Sequence, residues 1–321
     1  MRSTTLAILF LTRIIHNHES PLHALLFLPL RLDIRFPRAI VQIASTDKAT
    51  GASFQETKAK AEKGDAEAQY NLGVMYGDGE GVMKDYVEAL KWYRKAVDQG
   101  LAAAQYNLGV MYENGLGVVK DEVEAVRWYR KAADQGYALS QNNLGVMYAE
   151  SRGVRKVEAE TVKWWRKAAD QGLAAAQYNL GVMYANGQGV AKDEAEAAKW
   201  HRKAADQGLA AAQFNLGVMY ANGQVVAKDE AEAAKWYRNA ADQGYAEAQF
   251  NLGFMYADGK GVRRDGTEAY KWFLLAEAQG LEPAKKVIPI LEPRLTPAQR
   301  AEGQKRAREF AEQLEKKRGV R

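Results

Sequence analysis

Apolar and small residues recur along this chain with a period of 36 residues, and their spacing predicts helices. Around Leu72, an angle of about 100° per residue places Ala68 and Tyr76 on one side of a helix. A helical glycine costs about 1 kcal/mol relative to alanine, so Gly73 beside that face suggests that a second helix approaches closely. The same glycine, in the motif Leu-Gly-x-x-Tyr, recurs at Gly109, Gly145, Gly181, Gly217 and Gly253. A fixed period of this length indicates a solenoid of stacked repeats.

The second half of each repeat predicts another helix, joined to the first by a glycine-rich loop. Asp85, with Glu88 three residues later, is an aspartate form of the capping box that marks a helix start. Trp92 and Tyr93 then fall on one apolar face, and Gly100 before an apolar residue is typical of a Schellman stop. The other copies have the pairs Asp121/Glu124, Asp193/Glu196, Asp229/Glu232 and Asp265/Glu268, and the closing glycines Gly136, Gly172, Gly208, Gly244 and Gly280.

Two repeats depart from this pattern. In the third, Ser151 replaces the first loop glycine, Val157 replaces the capping aspartate and Asn142 replaces an aromatic residue. In the fifth, Val225 replaces a loop glycine. Because glycine supplies the positive φ that other residues adopt at a cost, we expect these two loops to be the irregular ones.

The motifs Leu-Gly-x-x-Tyr and Ala-x-x-x-Tyr resemble the tetratricopeptide pattern, whose period is about 34 residues. The longer period and the glycine loop are similar to those of the Sel-like repeat (SLR) family, the glycine-loop relatives of tetratricopeptides. The likeness covers residues 65–280 closely. It implies an all-α fold, a right-handed α-solenoid of helix-turn-helix repeats that forms an α/α superhelix.

The resemblance also implies a function. Members of that family are usually adaptors, so we expect a non-catalytic scaffold that binds a protein or peptide segment in a concave groove. One alternative is a β-lactam-binding or β-lactamase-like enzyme, as suggested for cysteine-rich relatives, and another is a structural, envelope-associated spacer. The chain has no cysteine, which separates it from those relatives and weakens the enzyme alternative.

Four regions follow from the pattern. Residues 1–50 form an N-terminal extension, either an export segment or disordered, whose apolar runs are shorter than the roughly 18 residues of a transmembrane span. Residues 51–64 predict an N-terminal capping helix, and residues 281–321 predict C-terminal capping helices with a basic tail. The six repeats between them are 65–100, 101–136, 137–172, 173–208, 209–244 and 245–280.

Charge argues against nucleic acid as a partner. The net charge of +5 comes from the ends of the chain, because residues 51–280 carry 28 basic and 31 acidic groups. A nucleic-acid stripe would need clustered lysine and arginine. We expect a monomer with a protein or peptide partner and no cofactor. If residues 1–50 are an export segment, a periplasmic or secreted location is favoured; otherwise the cytoplasm is.

Catalytic and metal-binding candidates are weak. Ser45 begins an S-x-x-K match without the accompanying motifs of β-lactam enzymes. His16 and His18 lack nearby third and fourth metal ligands. His201 occupies a position held by tyrosine in three other repeats, so we expect it to be a packing residue and not an acid–base group. The acidic loop that starts at Asp78 lacks the ligand order of a calcium-binding EF-hand. No catalytic residue and no metal site are therefore predicted.

A partner-binding row is predicted on the first helices, which line the concave side of tetratricopeptide-like arrays. Asparagine amides could pair with a peptide backbone, and neighbouring rings could bury its side chains. The alternative is that the amides hydrogen-bond neighbouring helices and the rings pack between repeats. The candidate residues are Tyr70, Asn71, Tyr106, Asn107, Asn143, Tyr178, Asn179, Phe214, Asn215, Phe250 and Asn251.

Overall fold

The structure, a computed structural model, describes residues 54–223 and 227–319, and every regular element in these ranges is helical. The chain divides into two compact units, described here over residues 54–200 and from 201 onward, and the division falls inside α9. The predicted all-α solenoid of helix-turn-helix repeats is confirmed. The helices are α1 Phe54–Glu62, α2 Ala66–Asp78, α3 Tyr86–Asp98, α4 Ala102–Asn114, α5 Glu122–Asp134, α6 Ala138–Glu150, α7 Glu158–Asp170, α8 Ala174–Asn186, α9 Glu194–Asp206, α10 Ala210–Asn222, α11 Glu230–Ala241, α12 Ala246–Asp258, α13 Gly266–Ala278, α14 Glu282–Leu291 and α15 Pro297–Gly319, with a 3-10 turn at Glu292–Arg294.

The recurring glycine of the first helix lies under a ring of the second. A Cβ atom on Gly73 would lie 2.6 Å from the Tyr93 ring, and one on Gly109 would lie 2.7 Å from the Tyr129 ring. Such distances exclude a side chain, so the expectation of a close helix–helix approach is confirmed. Gly145 stands in the same relation to Trp165.

The second helices begin at their aspartates, with one difference from the prediction. The Asp85 side chain accepts hydrogen bonds from the N–H groups of Val87 and Glu88, as an N-cap should. Glu88 does not complete the capping box, because it pairs with Lys91 instead. The Asp85 N–H donates to the carbonyl of Tyr76 at 2.9 Å, which ties the loop to the end of the first helix.

The second helices end in Schellman motifs, as predicted. Gly100 has a φ of 84°, its N–H donates to the Val97 carbonyl at 2.8 Å, and the Leu101 N–H donates to the Ala96 carbonyl at 3.2 Å. The same pair of bonds closes α5 at Gly136. Each second helix therefore stops at a fixed residue, which sets the register of the next repeat.

A second loop glycine packs one repeat on another. A Cβ atom on Gly117 would lie 2.4 Å from the carbonyl oxygen of Tyr86, at the start of α3 in the preceding repeat. Gly153 meets the Glu122 carbonyl in the same way, at 2.1 Å. The loop backbone therefore rests directly on the N-terminal end of the previous second helix.

The third repeat keeps a regular loop, contrary to expectation. Ser151 adopts φ 59° and ψ 39°, close to the 70° and 34° of Gly115 in the second repeat. Arg152, next in the loop, forms ion pairs with Glu113 at 2.9 Å and Glu122 at 3.1 Å, both in the second repeat. Val157 begins α7 without a side-chain cap. The substituted position Val225 lies outside the described residues.

Helices flank the repeats at both ends. At the N-terminal end, the Phe54 ring of α1 meets the Tyr76 ring edge-on at 5.5 Å. At the other end, α14 continues through Pro289. Thr296 and Gln299 form a complete capping box at the start of α15, with bonds of 2.9 Å and 3.2 Å.

Candidate functional site

The aromatic residues predicted for a groove belong to the interior. Tyr106 is buried between the ring of Tyr129, 5.8 Å away in its own repeat, and the ring of Tyr137, 5.4 Å away at the start of the next repeat. Phe214 has the two equivalent ring neighbours. Tilted ring pairs at centroid separations of about 4.5–7 Å are favourable. These rings therefore hold neighbouring repeats together.

Asn107 and Asn143 pair with hydroxyl groups of the preceding repeat. The amides of Asn179 and Asn215 are buried and hydrogen-bond no described residue. Asn143 hydrogen-bonds the hydroxyls of Tyr106 and Tyr129. Burial, the largest effect, raises the pKa of both hydroxyls, and the amide opposes part of that rise. Asn107 holds the equivalent place beside Tyr70. The amides of Asn107 and Asn143 thus contribute polar contacts between repeats.

Burial separates the eleven predicted groove residues into two groups. Asn71 and Asn251 are partly exposed. Because a buried side chain reaches a partner only after local opening, burial favours the alternative in which these positions stack the repeats. A binding role for the set remains a prediction, and Asn71 and Asn251 are the members that a partner can reach. The buried members are Tyr70, Tyr106, Asn107, Asn143, Tyr178, Asn179, Phe214, Asn215 and Phe250.

Glutamines form a second set of inter-repeat bonds, which the sequence reasoning missed. Gln141 donates from Nε2 to the Ala133 carbonyl of the preceding repeat at 3.1 Å, and its Oε1 accepts from Gln171 at 2.7 Å. Gln135 donates to the Gly100 carbonyl of the preceding repeat at 3.0 Å. The recurrence of glutamine at two fixed positions was the available signal. The same bonds form around Gln69, Gln213 and Gln249.

Arginine and tyrosine form a partly exposed row between repeats. The Arg94 guanidinium donates to the hydroxyl of Tyr112, in the next repeat, at 3.2 Å. Further pairs combine this bond with a guanidinium held 5.3 to 5.7 Å from the ring centroid, which is cation–π geometry. The conserved tyrosine of the Leu-Gly-x-x-Tyr motif is therefore a stacking residue. These pairs are Arg130/Tyr148, Arg166/Tyr184, Arg202/Tyr220 and Arg238/Tyr256.

Four large apolar side chains are exposed on the first two repeats, and we call them the apolar edge. Met83 and Val119 occupy equivalent loop positions and are 87% and 86% exposed. Val87 and Val123 occupy equivalent positions in the first turns of α3 and α5, and about half of each is exposed. The loop of the second repeat packs on the start of α3 through Gly117, which brings the segment that carries Val119 next to the segment that carries Val87.

The catalytic and metal candidates find no support in the described residues. His201 is fully buried, and burial lowers the pKa of its imidazole from 6.5 to about 4. The carboxylate of Asp85, in the acidic loop, caps α3. Over residues 54–223 and 227–319 no group of three His, Asp or Glu side chains is arranged to hold a metal ion. Ser45, His16 and His18 lie outside the described residues.

These features define a class of protein: an α-solenoid whose recurring side chains join one helical hairpin to the next. The chain belongs to the Sel1 repeat family. Proteins of this family generally mediate protein–protein interactions and are typically non-catalytic. Each matched segment begins one residue after the boundary expected from the glycine motif. The Sel1 repeat model matches residues 66–101, 102–137, 138–173, 174–209, 210–245 and 246–281.

Two solved structures are similar in sequence and fold. The protective antigen c5321 of uropathogenic Escherichia coli, which displays an SLR fold, is 40% identical, with a TM-score of 0.73 over 82% of this chain and 56% of that one. A Sel1 repeat protein from Oxalobacter formigenes is 36% identical, with a TM-score of 0.66 over 74% of this chain and 69% of that one. This chain thus spans little more than half the length of the antigen. No curated protein matches the sequence.

Among the helices of the described ranges, none combines the length and the apolar character that a membrane crossing requires.

Proposed function

We propose that this chain is a non-catalytic adaptor that binds a segment of another protein, and that the apolar edge is its contact surface. The observation that carries the proposal is the exposure of Met83, Val87, Val119 and Val123 on a surface otherwise dominated by paired charges. Contiguous exposed apolar side chains mark interaction sites in soluble proteins. A partner that covers them gains about 25 cal/mol for each Å² of apolar surface removed from water.

The apolar edge is a property of two repeats and not of the repeat pattern. At the loop position of Met83 and Val119, the fourth and fifth repeats have Ala191 and Ala227, and the third has Arg155. A side chain needed for folding would recur in every copy, as the buried glycines and rings do. Its restriction to two copies therefore supports a role in recognition.

The partner is expected to present apolar side chains flanked by charge. Beside Met83 and Val119, Lys91 pairs with Glu88 and Arg127 pairs with Glu124 in solvent. Exposed pairs of this kind contribute at most about 1 kcal/mol each, so they can exchange partners at little cost. An interface with an apolar centre and a polar rim is the usual arrangement in protein complexes.

The first-helix face is the second candidate surface. Asn71 and Asn251 keep part of their surface exposed, one near each end of the repeats. Both side chains already have a partner within the chain, the Tyr237 hydroxyl in the case of Asn251, so a peptide backbone would bind at the remaining donor or acceptor sites of the amides. Binding there is the groove contact that the resemblance implies.

A capture experiment with the full chain separates the two surfaces. The tagged chain, the variant Met83→Glu/Val119→Glu, the matched control Ala191→Glu/Ala227→Glu and the variant Asn71→Ala/Asn251→Ala are compared by quantitative mass spectrometry. The control adds the same two charges at the same repeat positions. All four positions of the glutamate variants are exposed, so each variant is expected to fold, which circular dichroism checks.

The proposal expects a protein that the chain and the control retain and that Met83→Glu/Val119→Glu loses. If only the Asn71→Ala/Asn251→Ala variant fails to retain the partner protein, the binding site lies on the first-helix face. Equal retention by all four proteins would contradict both surfaces.

A further inference from the structure

A cleft of about 610 Å³ lies between the loop of the sixth repeat and the C-terminal helix. Arg263 and Arg264 line it, together with Tyr256 and Val262 from the same repeat and Gln299 from the first turn of α15. The cleft therefore combines two guanidinium groups with an aromatic ring, an aliphatic side chain and an amide. We propose that this cleft binds an acidic segment of a polypeptide through Arg263 and Arg264.

The sixth repeat lacks the carboxylate that neutralises this loop in the second to fifth repeats. The first repeat also lacks it, but there Lys84 lies over the Tyr86 ring, 4.8 Å from its centroid. In the second and fourth repeats, the loop lysine pairs with a glutamate two residues later: Lys120 with Glu122 at 3.1 Å, and Lys192 with Glu194 at 2.7 Å. Arg264 stands at the lysine position, but Gly266 stands where the glutamate would be. Its cation is left without the usual partner.

Packing explains the glycine, but it does not explain the arginines. A Cβ atom on Gly266 would lie 2.6 Å from Cδ2 of Leu295, so a side chain there would have to displace the Leu295 side chain. The cap makes no such demand at Arg263 and Arg264, because both side chains are exposed. No hydrogen bond or ion pair with a described residue engages either guanidinium.

The carboxylates at the cleft are already engaged. The Asp265 side chain accepts from the N–H groups of Thr267 and Glu268 as the N-cap of α13. Glu268 pairs with Arg306 at 2.8 Å and with Lys271 at 3.4 Å. The two arginines are thus the guanidinium groups of the cleft that form no ion pair with a described carboxylate. Arginine binds carboxylates through two parallel hydrogen bonds, which are among the stronger polar contacts in proteins.

The apolar lining favours a polypeptide over a nucleic acid. Val262 and Tyr256 offer a peptide side chain an apolar contact next to the guanidinium groups. Recognition of acidic motifs by arginine clusters is a recurring mode of peptide binding. The residues of the repeats as a whole carry more acidic than basic groups, which opposes a long polyanion along the chain.

The probe is a fluorescein-labelled peptide of alternating glutamate and leucine, and its anisotropy is measured with the full chain at low and high salt. The matching glutamine–leucine peptide and a single-stranded DNA of equal charge serve as comparison ligands. The test variant is Arg263→Gln/Arg264→Gln. The control Lys192→Gln/Lys228→Gln removes the same charge from loops where each lysine has its glutamate, at 2.7 Å and 2.9 Å.

We expect the acidic peptide to bind more weakly at high salt, and at least about tenfold more weakly to Arg263→Gln/Arg264→Gln than to the control. Hydrogen exchange on the unmodified chain gives a second readout, with protection expected at residues 256–268 and 297–303. No binding of the acidic peptide, equal loss in both variants, tighter binding of the DNA or protection elsewhere would each overturn the proposal.

Discussion

A glycine in the middle of each first helix is a packing residue, because a ring of the second helix occupies the place of its side chain. The Gly109 Cβ position lies 2.7 Å from the Tyr129 ring. The ring in turn is buried against Tyr106, and Asn143 of the next repeat hydrogen-bonds both hydroxyls. A single small residue therefore sets the distance between two helices and the position of the next repeat.

Gly109→Ala tests this packing. Alanine favours a helix over glycine by about 1 kcal/mol, so a helix free of contacts would gain stability. Here the added methyl group must displace the Tyr129 ring, and we expect the free energy of unfolding to fall by about 1–3 kcal/mol in urea titrations. Gly319→Ala is the control, since nothing lies within 4 Å of its Cβ position. Equal effects of the two substitutions would refute the steric explanation.

His201 makes stability depend on pH. Burial lowers the pKa of its imidazole from 6.5 to about 4, so the folded chain favours the neutral form. The unfolded chain binds the proton first as the pH falls. The contribution of the neutral imidazole is therefore complete above pH 6.5 and is lost progressively towards pH 4.

His201→Phe removes this titration and installs the residue that the sixth repeat has as Phe273. Between pH 6.5 and 4 the unmodified chain is expected to lose up to about 3 kcal/mol more stability than the variant. Urea unfolding at a series of pH values measures the difference. If the free energy of unfolding changes with pH in the same way in both proteins, His201 is not the cause of the pH dependence.

At the scale of single helices, the caps decide where each element begins and ends. Asp121 accepts from the N–H groups of Val123 and Glu124 and starts α5. Val157 starts α7 with nearly the same backbone angles, φ −140° and ψ 102°, but without a side-chain bond. The backbone at the start of α7 therefore has the N-cap conformation, but no side chain accepts hydrogen bonds from the first N–H groups of the helix.

Val157→Asp should supply the missing cap. Val157 is 39% exposed, so an aspartate carboxylate at this position keeps contact with solvent, and an N-cap aspartate contributes about 0.5–2 kcal/mol. We expect a gain of that size in unfolding free energy, measured by thermal and urea denaturation. Val157→Ala is the comparison and should bring no gain. Destabilisation by aspartate would mean that the valine makes contacts that the capping argument ignores.

The helices, their caps and the close glycine contact could be predicted from the sequence because each depends on residues near in the chain. The burial of the groove residues could not be derived by looking for one apolar face. In α4 every residue from Ala104 to Met111 is buried, so the helix has no off-core side over that stretch. A helix with apolar residues on almost all sides is buried in the protein. Between Ala104 and Met111 the only polar residues are Gln105 and Asn107, and this composition indicates burial on all sides.

The bonds between repeats were beyond sequence reasoning for a different reason. Gln141 contacts Ala133 and Gln171 only because the hairpins stack in one register, and that register comes from loop contacts such as Gly117 on the Tyr86 carbonyl. The two proposed binding surfaces could not be predicted from the repeat pattern, because each is an exception to it. Met83 and Val119 differ from the alanines of the fourth and fifth repeats, and Gly266 differs from the glutamates of the second to fifth repeats.

At the scale of the whole molecule, the recurring residues join the repeats, and we propose that the exceptions to the pattern serve recognition. Each repeat contacts its neighbours through rings, amides, glutamines and arginine–tyrosine pairs, so stability is shared along the array. The residues that break the pattern without a packing reason are those that remain available to partners. The central claim is therefore that binding occurs at the apolar edge and not at the recurring first-helix positions.

Site-specific photocrosslinking in cells that express the full chain tests this claim most directly. A benzophenone amino acid is placed at Met83 or Val119, at the matched positions Ala191 or Ala227, and at Asn71 or Asn251. The account predicts partner adducts from positions 83 and 119 and none from the other four. Adducts from positions 71 and 251 with none from 83 and 119 would contradict it and would place the partner on the first-helix face.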